Sequence, residues 1–199
     1  MSDVPAAPSE LGAVRAELQQ LRRERDALAA RVLELEQQVA APPGASPAPA
    51  ASFEESFRVE QSRAKRQRLA LSVALVELDG IQELRDRLGH SAGEEALAHL
   101  ARVLEQSLRP TDVVSPVDGL AFGLLLTATS LEQALAAITR LQQDFAQVPL
   151  DTGHEQQVLT FSAGLVQWRT DEALGDLLSR ASRALGLARR GGVGKVVVG

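Results

Sequence analysis

The chain has 199 residues, enough for one domain of ordinary size plus an appendage, and 45% of them are apolar, enough for a real core. A formal net charge of −5 argues against a general nucleic-acid or membrane-surface binder, and no apolar run approaches the length of a membrane span. The absence of cysteine excludes disulfides, thiol nucleophiles and thiolate-held metal, and the opening M-S-D-V-P-A-A-P lacks an apolar signal core, so a soluble, cytoplasmic chain is expected.

Residues 1–10 carry no ordering pattern and are expected to be disordered. Residues 11–40 carry a heptad pattern. Leu11, Leu18, Arg25, Val32 and Val39 fall on a, and Val14, Leu21, Leu28 and Leu35 on d. In a parallel dimer the g–e′ pairs Glu17–Arg22 and Arg31–Glu36 are both attractive, which predicts self-association through residues 11–39. The alternative is one amphipathic helix folded onto the domain; the narrow a/d stripe favours the coiled coil. Residues 41–51 are rich in Pro and Ala and read as an extended, semi-stiff linker.

The remaining segment, 52–199, reads as one domain. Residues 52–67 form a helix with Ser52 as N-cap and Glu55 at N3. Leu69–Leu78 is a buried strand, with Glu77 and Asp79 sharing a face at its end. Ile81–Leu88 is a short helix. Residues 89–94 are a turn into a long helix ending near Leu108, with His99 on its polar side. Val113–Leu126 is a hairpin turning at Asp118-Gly119. Ser130 caps a helix over 131–146, and 147–155 is a loop. Residues 157–168 form a strand broken near Gly164. Asp171 caps a helix to about Arg190, and Lys195–Val198 is a last strand. This order predicts an α+β sheet with helices on its faces, of the nucleotidyl-cyclase/ferredoxin-like kind, preceded by the coiled-coil helix.

Other constellations are weak. His90, His99 and His154 are dispersed without ligand spacing, so no metal is expected. G-G-V-G at 191–194 follows a helix and does not open one, which makes it a C-cap and turn. Ser162 has no visible His/Asp partners.

Several spaced motifs then resemble one family. V-A-L-V-E-L-D-G-I, G-H-S-A-G-E, L-R-P-T-D, T-F-S-A-G-L and A-S-R-A-L-G-L-A-R-R-G-G are similar, in order, to those of the GGDEF domain of diguanylate cyclases. Asp118, Gly119, Leu120, Ala121 and Phe122 fall on the signature G-G-[DE]-E-F. The second Gly and the Phe remain; both acidic letters are gone. The linker stands where the family carries its leading D-x-L-T-G-L-x-N-R-R motif.

The resemblance implies a degenerate active site. Joining two GTP molecules needs Mg²⁺ on hard carboxylate oxygens and a base for the attacking hydroxyl. In the family, metal carboxylates come from the first acid of the D-x-D strand end and the third signature letter. Here these are Glu77 and Leu120, with Ala121 at the fourth letter. The family's guanine-reading Asn falls on Arg85, its Asp partner on Glu94 and a phosphate-binding Lys on Gln82. A later Lys falls on Arg189, and the following Arg on Val193. A solvated strand end is then the better reading of Glu77 and Asp79. No cyclase activity and no cofactor are expected.

The resemblance also implies a second site. The family's inhibitory R-x-x-D falls on Arg109 and Asp112, and its second Arg on Arg140. These residues suit cyclic di-GMP, because a guanidinium can bond the O6/N7 edge of guanine and a carboxylate its N1–H and N2–H. The bland reading is that Arg109 and Asp112 cap the long helix and Arg140 is one more surface arginine. Two function classes follow: a cyclic di-GMP-binding signalling module, or a dimeric scaffold that binds no nucleotide. Either implies a protein partner that the sequence does not identify.

Overall fold

The computed structural model describes residues 52–118, 120–151 and 156–199, together with Gln20. The chain divides into Met1–Ala50 and Ala51–Gly199. The expected disordered N-terminus, the coiled coil over 11–40 and the linker over 41–51 lie outside the described residues, apart from Gln20. Among the described residues no helix is long and apolar enough to cross a membrane.

The elements in order are α1 (Phe53–Gln67), β1 (Leu71–Leu78), α2 (Ile81–Leu88), α3 (His90–Ser107), β2 (Val113–Asp118), β3 (Ala121–Thr127), α4 (Leu131–Ala146), β4 (Leu150–Asp151), β5 (Gln156–Gln157), β6 (Phe161–Gln167), α5 (Leu174–Arg190) and β7 (Val196–Val198). Five strands form one sheet in the order β2-β3-β1-β6-β7, and β4 and β5 form a separate pair. All neighbours in the large sheet are antiparallel except β6 and β7. The α+β expectation therefore holds.

Both faces of the sheet are covered, which is why the central strands read as continuous apolar runs. Val76, Leu124, Leu126 and Leu165 pack under α2, α3 and α4 with Leu100, Leu104, Ile138 and Phe145. Val73, Leu75, Leu125 and Val166 pack under α1 and α5 with Phe53, Phe57, Leu177 and Leu185. Local signals start two helices. Ser52 Oγ accepts from Glu55 N, and Ser130 and Gln133 form a reciprocal capping box.

Several expectations are corrected. The helix after Gly89 starts at once, because Gly89 at φ +92° makes the whole turn. The strand around Gly164 is unbroken; the glycine allows α5 to approach it. The expected loop over 147–155 contains β4, whose partner β5 is separate from β6. Asp171 does not cap α5. It adopts φ +67° and its Oδ1 takes Lys65 Nζ at 2.6 Å, while Ala173 is the N-cap.

The segment before α5 is fixed by Glu172. Its carboxylate accepts from Arg180 Nε at 2.7 Å and Arg180 Nη2 at 2.8 Å, and from Arg169 N at 3.1 Å. Arg180 Nη2 also donates to Gln167 O at 2.7 Å. The two side chains are 12% and 10% exposed, so the pair is little screened. The hydrogen bonds from Arg180, followed by that from Arg169, hold the Glu172 carboxyl below its ordinary value against the opposing effect of burial. A depressed carboxyl stabilises the fold above its unfolded pKa, and this stability is lost as pH falls through the folded value. Below the ordinary value of 4.5, the melting temperature of wild type should therefore fall more steeply than that of Glu172→Gln, as followed by thermal circular dichroism. Parallel curves would remove Glu172 from the acid response.

Candidate functional site

One end of the sheet gathers the positions matched to the family's active site. Glu77 is the last register position shared by three strands, opposite Ala121 on β3 and Ser162 on β6. Ala121 thus faces the strand acid directly. Leu120 and Phe122 are half-buried against the α2–α3–α4 core, so Leu120 serves packing where the family carries a carboxylate. Gly119 and the Asp118 side chain lie outside the described residues.

Glu77 is not a free carboxylate. Arg189 Nη1, from the last turn of α5, stands 3.0 Å and 3.1 Å from its two oxygens. The Glu77 side chain is 15% exposed, which corrects the solvated strand end. Asp79 is corrected too. β1 stops at Leu78, so Asp79 leaves the strand pattern and turns to β6. Its carboxylate accepts from Ser162 Oγ at 2.7 Å, Thr160 Oγ1 at 2.9 Å and Gly194 N at 2.7 Å. This acid ties β1, β6 and the turn before β7 together. Ser162 is consumed by the same knot.

A cleft of about 330 Å³ opens here, bordered by Glu77, Asp79, Gly80, Gln82, Glu83, Arg189 and Val193. Gln82 is exposed at its rim. Arg85 and Glu94 do not border it. They pair with each other at 2.7 Å, between α2 and α3. The residues do not fit a divalent cation. Glu77 is engaged by a guanidinium, and the Leu120 and Ala121 side chains carry no oxygen. Among the described residues, no group of three or more His, Asp or Glu could hold a metal ion.

The other end of β3, about 20 Å away over six residues, holds the second set. Asp112 follows the turn after α3. Its Oδ2 accepts from Arg109 N at 3.3 Å and its Oδ1 from Thr127 N at 3.0 Å. Arg109, Asp112 and Arg140 border one cleft of about 140 Å³, with Thr129, Gln133 and Ala137 among its other walls. Three positions scattered over the sequence are thus brought together. Arg109 and Arg140 are exposed, and their guanidiniums form no hydrogen bond or ion pair among the described residues. Asp112 is part of the scaffold as well as of the wall.

Sequence reasoning missed two features. Arg109 also borders a neighbouring cleft of about 130 Å³ with Glu60 and Arg63 of α1. No local signal marks Arg63 among the arginines of that helix. His99 is buried at 3% exposure, correcting its placement on the polar side. It follows Ala92 and Ala96 on the inward stripe. There Nε2 lies 2.7 Å from Val148 O and Nδ1 lies 2.7 Å from Arg102 Nη2. Arg102 only donates, so Nδ1 accepts and Nε2–H bonds the carbonyl. His90 stays exposed, 3.6 Å from Glu94; His154 is outside the described residues.

The five-stranded sheet with helices on both faces defines an α+β domain. The chain belongs to the GGDEF family: the family described as "Diguanylate cyclase, GGDEF domain" matches residues 50–195. It is 34% identical over 139 residues to diguanylate cyclase DgcP of Pseudomonas aeruginosa, covering 69% of this chain and 21% of that protein, so it spans about a fifth of that relative. Diguanylate cyclase SiaD of Pseudomonas aeruginosa, solved in complex with its activator SiaC, is 25% identical with a TM-score of 0.71, over 94% of this chain and 74% of that one. The active GGEEF domain of a diguanylate cyclase from Vibrio cholerae is 27% identical with a TM-score of 0.67, over 73% of this chain and 93% of that one.

Proposed function

We propose that this GGDEF domain is catalytically inactive and binds cyclic di-GMP through Arg109, Asp112 and Arg140, as a signalling module. The observation that carries the reading is the single cleft bordered by all three residues, with both guanidiniums uncommitted. Each guanidinium can bond a guanine O6/N7 edge or a ligand phosphate. A carboxylate offers about four lone-pair sites. Asp112 Oδ2 accepts one described bond, from Arg109 N, so it has capacity left for the N1–H and N2–H edge. Isothermal titration tests the reading: saturable heat is expected with cyclic di-GMP and none with GTP.

The inactive half of the reading rests on Glu77, Leu120 and Ala121. A lone carboxylate already paired with Arg189 is a poor holder of Mg²⁺ against triphosphate repulsion. Restoring the signature acids by Leu120→Glu with Ala121→Glu is expected to give no cyclic di-GMP from GTP and Mg²⁺, because Gln82 and Arg85 remain. Product from the wild type would overturn this half. Product from the restored variant alone would confine the defect to the loop.

One observation favours the scaffold reading. Asp112 bonds Arg109 N and Thr127 N, so its presence has a structural explanation without a ligand. In either reading the chain self-associates through residues 11–39 and serves a protein partner; the similar SiaD is held in complex with its activator SiaC. Sedimentation of a chain starting at Ser52 is expected to show a monomer, and the full chain a dimer. A truncated chain that stays dimeric would move the contact into the domain.

A further inference from the structure

Two clefts meet over the start of α2. The cleft of about 330 Å³ at the end of β1 borders Asp79, Gly80 and Glu83. A second cleft, of about 250 Å³, borders the same three residues and continues to Arg87 and Val158. The shared wall makes the two one groove, and its ends are alike. Val193 lines only the first cleft and Val158 only the second. At 68% and 65% exposure they are the two most exposed large apolar side chains among the described residues. Single valines scattered over a surface are ordinary. These two stand on either side of one acid in the hydrogen-bond pattern. Gly194 N and Thr160 Oγ1 both donate to Asp79, and Val193 and Val158 precede those residues by one and two positions.

The middle of the groove is negative. The donors to Asp79 are Ser162, Thr160 and Gly194, none of them charged, so no cation cancels its carboxylate. Glu83 forms no hydrogen bond or ion pair among the described residues. Its Oε2 lies over Gly80, 3.6 Å from where a Cβ would stand. The cations lie outward. Arg189 borders only the first cleft and Arg87 only the second. Arg189 is engaged by Glu77, and Arg87 Nη2 donates to Gln157 Oε1.

We propose that this groove docks an extended segment of a partner protein, in which a lysine or arginine is flanked by two apolar side chains. The proposal rests on the reading that this end of the sheet makes no product and that the chain serves a protein partner. It adds the surface and the chemistry of that partner. In an extended chain the side chains at i, i+2 and i+4 share one face over about 13 Å. The central cation then meets Asp79 and Glu83, and the apolar side chains cover Val158 and Val193. A segment with an acid at its centre would instead gather three carboxylates, so the groove selects by repulsion as well as attraction.

The test is fluorescence anisotropy of the full chain with a labelled peptide, G-V-S-K-S-V-G. Contacts of this size are weak, so the titration is carried to about 1 mM. Saturable binding is expected, falling as salt is raised. G-V-S-E-S-V-G and G-S-S-K-S-S-G are each expected to bind at least ten-fold more weakly. Val158→Ser with Val193→Ser is expected to lower affinity for the first peptide at least ten-fold, and Glu83→Gln to lower it about three-fold. Thermal melts confirm that each variant folds. No saturation with G-V-S-K-S-V-G, equal binding of G-V-S-E-S-V-G, or unchanged affinity in the double serine variant overturns the proposal. The double variant is expected to bind cyclic di-GMP within two-fold of wild type. Failure of wild type to bind cyclic di-GMP would sink the sensor reading and leave the peptide result standing.

Discussion

Gly164→Val is expected to give a chain with no cooperative thermal transition, and Gly164→Ala a folded protein melting about 10 °C lower. Gly164 lies in the middle of β6, with β1 on one side and β7 on the other. Its open face meets helix backbone. A Cβ there would stand 2.2 Å from Ala181 O, 2.3 Å from Leu185 N and 2.9 Å from Leu185 Cα. Backbone inside a helix has no rotamer to change. Relief requires α5 to lift from the sheet, which opens the layer formed by Val166, Leu177 and Leu185. Overpacking costs about 1–3 kcal/mol where neighbours can adjust. The upper end applies here, and about 3 kcal/mol corresponds to about 10 °C for a domain of this size. Valine adds two more methyls to the same contact and exceeds what a margin of about 5–15 kcal/mol readily absorbs. Gly186→Ala, on the same helix, is the control. Its Cβ would meet only Arg190 Nη1, at 3.7 Å, and the better helix propensity should raise stability by up to about 1 kcal/mol. Thermal melts of the three variants decide the matter. A Gly164→Ala protein as stable as wild type would mean that α5 does not press on β6.

Arg109→Ala is expected to weaken cyclic di-GMP binding ten-fold or more. A lost bidentate guanidinium–guanine contact costs about 1–3 kcal/mol, and each 1.4 kcal/mol is a factor of ten. The substitution should leave the fold intact, because the Arg109 guanidinium is exposed and forms no bond among the described residues. The bond to Asp112 comes from its backbone N and survives the change. Arg140→Ala should act in the same direction. Glu77→Ala should leave binding unchanged, since Glu77 stands at the far end of the sheet with Arg189. Asp112→Ala is a poor probe, because it also removes the acceptor for Thr127 N. Equal loss in the Glu77 and Arg109 variants would point to general unfolding and against a site.

What could be read from the sequence was local. The hairpin from β2 to β3, the caps Ser52 and Ser130, and the apolar face of α4 all lie within a few residues of the signal that marks them. Spaced motifs carried the family. The errors came from tertiary demands. His99 looks polar in isolation, but it fills an inward position because Val148 O and Arg102 satisfy both ring nitrogens. Asp171 is a fitting N-cap by type, yet Glu172 organises that turn through Arg169 and Arg180. β4 and β5 are two residues each, too short for a periodicity to show. For the candidate sites, the positions were legible and their partners were not. The bond between Glu77 and Arg189 spans 112 residues. The donors to Asp79 lie 81 to 115 residues away. Only the folded sheet shows that one acid is paired and the other a structural knot. For Arg109, Asp112 and Arg140 the resemblance implied a shared site from their spacing, and the three border one cleft, but the bonds from Asp112 to Arg109 N and Thr127 N were not legible.

The central claim is that a domain which no longer makes cyclic di-GMP still binds it. The most direct measurement is isothermal titration of the full chain with cyclic di-GMP and, separately, with GTP and Mg²⁺, each to 100-fold molar excess. Saturable heat with cyclic di-GMP, lost or weakened at least ten-fold in Arg109→Ala and unchanged in Glu77→Ala, with no product formed from GTP, is the predicted result. No heat with cyclic di-GMP from the wild type would contradict the account and leave the scaffold reading in its place.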